Sequence, residues 1–207
     1  MSLPKILGID AATHLGFGFG RPGDKPLSGC FRCAGAEASH AAVFAGAGRW
    51  LTRFIQEHRP DVIYIEAPLP GSHVQGQTNI KTATILQGIP AVLEFMAFNL
   101  QVFDLHRAVL SSVRKHFIGK GNLKGEVAKK LVWQKCAALG WISRDDEDTS
   151  FDRTDALAVW SYACHQVAPK FAQPVDDLFV KAEQRRREAD ERAAVAAAKP
   201  SLFMEKF

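Results

Sequence analysis

Residues 5–20 run Lys5-Ile-Leu-Gly-Ile-Asp10-Ala-Ala-Thr-His14-Leu-Gly-Phe-Gly-Phe-Gly20, an apolar stretch that stops at an aspartate and then gives way to alternation. Alternation with period two puts every second side chain on one face, so His14–Gly20 predicts a strand and Lys5–Asp10 another before it. Arg21-Pro-Gly-Asp-Lys-Pro26 is dense turn chemistry, and Leu27–Cys33 makes a third strand. The chain is expected to open with a three-strand meander.

Working outward, Val43, Ala47, Trp50, Leu51, Phe54 and Ile55 form a helical stripe across Ser39–His58, which Pro60 ends. Val62-Ile-Tyr-Ile65, closed by Glu66, suits a strand buried on both faces. Gln77–Leu100 predicts a long apolar helix kinked at Pro90, and Gln101–Leu105 a short strand. Further helices are expected over Ser111–Phe117, Leu123–Leu139, Thr149–His165 and, strongly charged, Leu178–Ala198. Strand–helix–strand crossovers imply parallel pairing around the first strand, with the meander antiparallel at one side. The fold class is therefore α/β, a mixed sheet flanked by helices.

The chain has 207 residues, a prior of about 1.4 domains. One domain over residues 1–170 and a charged helical extension over residues 171–207, solvated or partly disordered, fit that length. Apolar residues make up 47% and charged residues 23%, enough to bury a core. The longest apolar stretch, Gly88–Leu100, is interrupted by Pro90 and Glu94, which excludes a membrane span. The start shows no signal-peptide layout, and four scattered cysteines make no disulfide scaffold, so the cytoplasm is the expected location. Cys30-x-x-Cys33 has no second pair and reads as two strand thiols rather than half a zinc site.

Charge is unevenly spread. Leu105–Lys135 holds eight bases (Arg107, Arg114, Lys115, Lys120, Lys124, Lys129, Lys130, Lys135) against Glu126 alone, whereas Arg144–Asp155 holds six acids against two bases. A basic block beside an acidic one suggests a polyanion held next to bound cations; a lysine-faced solvated helix is the plainer alternative.

Asp10 and Glu66 each close an apolar strand, and in an open α/β sheet ligands bind at that edge. Asp152 and Asp155 are three apart, hence on one helix face. Four converging carboxylates repel one another unless cations neutralise them, and hard oxygen ligands select Mg²⁺ or Mn²⁺. Two such ions about 4 Å apart are the usual device for phosphodiester displacement. Structural alternatives stand beside this: a Thr149-x-x-Asp152 capping box with Asp155 in the first turn, and an Asx turn at Asp10.

Taken in order, Ile6-Leu-Gly-Ile-Asp10 with Gly16-Phe-Gly-Phe19, Val62-Ile-Tyr-Ile-Glu66, Val113-Arg-Lys-His-Phe-Ile-Gly-Lys-Gly121 leading to Lys124, and Asp152-Arg-Thr-Asp155-Ala-Leu-Ala158 resemble the RuvC-type Holliday junction resolvases of the ribonuclease H-like superfamily. The resemblance spans about Lys5–His165. It implies a ribonuclease H-like sheet, three antiparallel strands then two parallel, in a homodimer that cuts four-way DNA junctions with Mg²⁺, Mn²⁺ substituting. It makes Asp10, Glu66, Asp152 and Asp155 the catalytic, metal-binding acids, two ions per site. Lys124 matches a lysine near the scissile phosphate and Arg114 a DNA-contacting position. Leu69 stands near where the family often has an aromatic that stacks on a junction base; it is the DNA-binding position expected there, and junction opening is expected to work differently. The segment Ser72–Asn79 and the C-terminal extension look more like bacteriophage-type variants, which act on branched DNA more broadly.

The implied mechanism is metal-assisted hydrolysis: Asp10 bridges two ions, Glu66 and Asp155 bind one each, and Asp152 holds an ion or activates water. Lys124 offsets charge on the phosphate, while Arg114, Lys115, Lys120, Lys124 and Lys129 grip DNA. The Gln77–Leu100 helix carries more apolar surface than a monomer flank needs and is the expected dimer seam; a buried central helix is the alternative. Competing functions are a non-catalytic branched-DNA-binding protein and an RNA–DNA hybrid nuclease on the same scaffold. Gly8-Ile-Asp10 with Thr13 also resembles the phosphate loop of actin-like ATPases, but the chain lacks their second loop. Asp177-Leu-Phe179 and Ser201-Leu-Phe203 echo peptides that dock on the replication sliding clamp, although the usual leading Gln is missing.

Overall fold

A computed structural model of the chain describes residues 2–68, 80–143 and 151–176, with scattered positions between 181 and 193. The opening meander forms as β1 (Ile6–Asp10), β2 (His14–Gly20) and β3 (Leu27–Arg32), followed by helix α1 (His40–His58) and strand β4 (Val62–Glu66). Helix α2 (Ile80–Asn99), strand β5 (Leu105–Ala108) and helices α3 (Leu110–Ile118), α4 (Gly125–Leu139) and α5 (Asp152–Val167) complete the order. The five strands form one sheet in the order β3-β2-β1-β4-β5. β1 pairs antiparallel with β2 and β2 with β3, while β1 pairs parallel with β4 and β4 with β5. The fold is α/β with the mixed sheet expected.

The pleat sorts each strand's residues between two helical layers. Leu7, Ile9, Leu15, Ile63 and Ile65 face a core built with α1 and α2, where Phe17 packs on Trp50 and Phe54. Ile6, Val62, Tyr64 and Ala108 face a second core with α3, α4 and α5. Helix α5 is buried on nearly every side from Thr154 to Ser161, as a helix sandwiched in a core must be. It reaches the sheet because β1 and β2 put glycines beneath it. A Cβ at Gly8 would lie 2.7 Å from the Cα of Trp160, and one at Gly16 would collide with the Asp152 carbonyl. The glycine-rich β2 is thus a trench for a helix.

Several sequence-based boundaries move. The strand expected at Gln101–Leu105 lies at Leu105–Ala108 instead. Gln101 takes a left-handed φ of 64°, and the amide of Val102 donates to Ala97, so residues 101–104 serve to turn the chain out of α2. Helix α4 starts at Gly125 rather than Leu123, with Lys124 in extended backbone as its N-cap. Helix α5 starts at Asp152 with Phe151 as N-cap in left-handed backbone, and Thr149 of the expected capping box lies outside the described residues. Helical structure in α2 continues through Pro90. Residues 77–79 of the expected helix and the Ser72–Asn79 segment lie outside the described residues. Of the expected Leu178–Ala198 helix, the positions that are described are helical; the two Leu-Phe motifs lie outside them. The chain stays on the second core as far as Val175, and Trp141 Nε1 donates to Gln173 Oε1 at 3.1 Å.

Candidate active site

Asp10 and Glu66 end parallel neighbours whose register pairs Ile9 with Ile65, so the two carboxylates leave the sheet side by side. Both lie on the α5 face of the pleat, in step with Gly8 and Tyr64. The trench brings the first turn of α5 to the same place, with the Asp152 carbonyl against Gly16 and Asp155 buried at 8% exposure. Asp10 also pairs in register with Gly16 across β1 and β2. Packing thereby gathers four acids that are 142–145 residues apart at their extremes.

Their electrostatics record the crowding. The Asp10 carboxyl is held well above the usual carboxylate range, first by desolvation and then by repulsion from Glu66, Asp155 and Asp152, with Lys129 opposing. Glu66 is pushed up from 4.5 to about 7, again by desolvation first and then by Asp155, against Arg114 and Lys129. Lys129 Nζ lies 3.9 Å from Asp155 Oδ2, and His14 Nδ1 lies 2.9 Å from Asp152 Oδ2. Among the described residues, no group of three or more such side chains stands close enough to close on a metal ion. The carboxylates share an electrostatic field without forming a finished coordination shell. The donor chemistry nevertheless fits a hard divalent cation: buried oxygens with mutual repulsion that the neighbouring cations do not cancel.

The basic residues divide into two groups. Lys129 lies beside the acids with its side chain partly exposed, and Arg114 lies close enough to act on Glu66, with its Nε buried and without a hydrogen-bond partner. Lys115, Lys120 and Lys124 are exposed on and around α3 and the start of α4. Lys129 opposes the upward shift of both Asp10 and Glu66, and Arg114 that of Glu66. Two members of the basic block are engaged elsewhere. Arg107 forms a two-point ion pair with Glu94 of α2, Nη2 to Oε2 at 2.8 Å, and Lys135 Nζ donates to the Phe117 carbonyl at 2.8 Å. Leu69 lies outside the described residues. The four cysteines, all among the described residues, form no disulfide; Cys33, Cys136 and Cys164 are buried, and Cys33 sits one residue beyond β3.

Two site residues were not singled out from the sequence for the places they occupy. His14 shares the Gly16–Gly18–Gly20 face of β2, so strand alternation alone could have put it on the α5 side. Lys129 read as one of eight bases; only the packing of α4 on α5 separates it from the rest.

No family model and no curated protein sequence matches the chain. Among solved structures, RuvC of Thermus thermophilus in complex with a Holliday junction substrate superposes with a TM-score of 0.61 at 16% identity, covering 83% of this chain and 99% of that one. A second Thermus thermophilus RuvC structure gives 0.59 at 18% identity over 82% and 99%. This chain has the RuvC fold. The yeast mitochondrial Holliday junction resolvase Ydc2 is also similar, at a TM-score of 0.48 and 13% identity, covering 94% of this chain and 86% of that one. The RuvC fold, a ribonuclease H-like arrangement, accounts for the strand order and for the helices on both faces.

Proposed function

We propose that the chain is a divalent-metal-dependent endodeoxyribonuclease that resolves four-way DNA junctions and other branched DNA. The observation that carries this reading is the gathering of Asp10, Glu66, Asp152 and Asp155 at one sheet edge, with the Asp10 and Glu66 carboxyls raised by burial first and then by neighbouring acids. An actin-like phosphate loop does not explain four acids, and a purely DNA-binding protein gains nothing from burying them beside a polyanion. The RuvC fold supports the choice of a branched substrate, since one of its members is seen with a Holliday junction.

Asp10, Glu66, Asp152 and Asp155 would hold the metal. Two Mg²⁺ ions bound there, or Mn²⁺ in their place, would supply a water deprotonated at neutral pH and neutralise charge on the scissile phosphate. The chain's own residues do the rest. Lys129 and Arg114 add positive charge beside the acids, where a phosphate must approach them. Exposed Lys115, Lys120 and Lys124 hold neighbouring phosphates, so binding weakens steeply with salt. Lys124 stays in the reading as a contact to DNA near the cut.

The active unit is proposed to be a homodimer joined through α2. Phe95 and Phe98 on that helix are 66% and 68% exposed, and Phe103 just after it packs edge-on against Phe98. Beside them, a groove of about 830 Å³ between α1 and α2 is lined by Phe44, Val92 and Met96. A twofold substrate suits two copies. The groove is on the face of the sheet opposite the carboxylates and is no part of the chemistry.

End-labelled junction, fork and RNA–DNA hybrid substrates incubated with Mg²⁺ test the reading. Cleavage of the junction and loss of cleavage in Asp10→Asn, with junction affinity kept, are expected. Cutting by Asp10→Asn at the wild-type rate would sink the assignment, and preference for the hybrid would move it to the ribonuclease alternative.

A further inference from the structure

Helix α5 begins without the usual support. Its N-cap is Phe151 in left-handed backbone, which offers no side-chain hydrogen bond to the first turn. A helix start so made lacks a side-chain cap, and Asp152 is its first residue. The sheet helps to hold Asp152. Gly16 of β2 admits the Asp152 carbonyl at a distance no side chain would allow. Two residues back on the same face of the same strand, His14 Nδ1 lies 2.9 Å from Asp152 Oδ2. On the far side of β2, Arg153 Nε donates to Ser28 Oγ of β3 at 2.9 Å. The register pairs Gly18 with Ser28, so all three contacts lie on the α5 face of adjacent strands.

We infer that His14 is a positioning residue that fixes the Asp152 carboxylate for divalent-cation binding. The inference rests on the metal-dependent reading above. With its proton on Nδ1, the imidazole donates to Oδ2 and sets the plane of the carboxylate before a cation arrives. An aspartate side chain without such a contact would have to give up rotamer freedom at the moment of binding. Partners of ligating side chains act in this way, and their loss typically costs about tenfold or more in metal affinity. The His14 side chain is 46% exposed against 14% for Asp152, so its removal opens no core cavity. Its contribution is therefore separable from folding. The Arg153–Ser28 contact anchors the backbone of the same turn, and His14 acts on the carboxylate itself.

The test is Mn²⁺ binding to the full-length protein without DNA, by titration calorimetry, alongside thermal melting in chelator. His14→Ala should melt within a few degrees of wild type yet bind Mn²⁺ about tenfold more weakly. His14→Asn places an amide N–H near the position of Nδ1–H and should recover most of that loss. Should His14→Ala fail to fold, His14→Phe removes the donor while keeping a ring in place and reads the same quantity. Unchanged affinity in the donor-less variant overturns the inference. Tighter binding overturns it as well, by making His14 a competitor for the carboxylate. A wild-type protein that takes up no Mn²⁺ removes both this inference and the metal-dependent reading. The expected His14 dependence in a protein that cuts no junction refutes the nuclease reading alone and leaves this inference standing.

Discussion

At Glu66, burial and neighbouring carboxylates make the folded chain keep a proton that the unfolded chain releases near 4.5; in the folded state release is delayed to about 7. Between those values the folded state binds more protons than the unfolded one, so stability falls as pH rises, and the full penalty is present above about pH 7. Glu66→Gln should therefore raise the melting temperature of the cation-free protein at pH 8 and change it little at pH 4.5. Equal shifts at both pH values would contradict the crowding. His116 works in the opposite direction. Burial first, then His165 and Lys135, lowers it to about 4, so protonating it below its ordinary 6.5 costs stability as pH falls. A bare pH profile mixes the two groups, and the Glu66 variant separates them. Asp10 and Glu66 were legible in the sequence because each ends an apolar run, and a strand end is a local property. His14 and Lys129 were not, since a partner across the sheet or on another helix is fixed only by tertiary packing.

At the scale of elements, the position of α5 is set by what β1 and β2 lack. Gly16→Ala should lower stability by about 1–3 kcal/mol, the usual cost of forcing atoms into a filled site, and should abolish cleavage as fully as losing an acid. Thermal melting and the junction assay read the two effects, and full activity in a folded Gly16→Ala protein would show that the close approach is dispensable. Strand β5 shows where pattern reading fails. Leu105-His-Arg-Ala108 has no alternation because it is an edge strand, and the apolar residues just before it were spent on leaving α2. The same strand corrects the charge reading. Arg107 was counted in the basic block, yet its guanidinium is paired with Glu94. Arg107→Ala should cost about 0.2–1 kcal/mol of stability, as a partly exposed pair does, and leave the salt slope of junction binding unchanged. Lys120→Ala should reduce that slope by about one unit. A like drop for Arg107→Ala would mean that DNA breaks the ion pair.

For the molecule as a whole, the two helical layers have different work. The α3–α4–α5 layer completes the acidic site, while the α1–α2 layer leaves an apolar face uncovered. Phe98→Glu should convert a dimer into a monomer in sedimentation at micromolar concentration without lowering the melting temperature of the monomer; a wild-type chain that sediments as a monomer in low salt would count against the seam. The α2 helix was readable from its apolar excess, but sequence could not say which face is spent on the core, because nearly all of it is apolar. Ile89, Leu93 and Ala97 turn inward, and Phe95 and Phe98 are left outside. The bare glycine floor under α5 carries one more consequence. With no side chains on the sheet at Gly8 and Gly16, where the α5 backbone comes closest, the helix-borne half of the acidic cluster has no room to swing while the scaffold stays intact. Heat inactivation should then track the cooperative loss of the whole domain, and no warm, folded but catalytically loosened species should precede it.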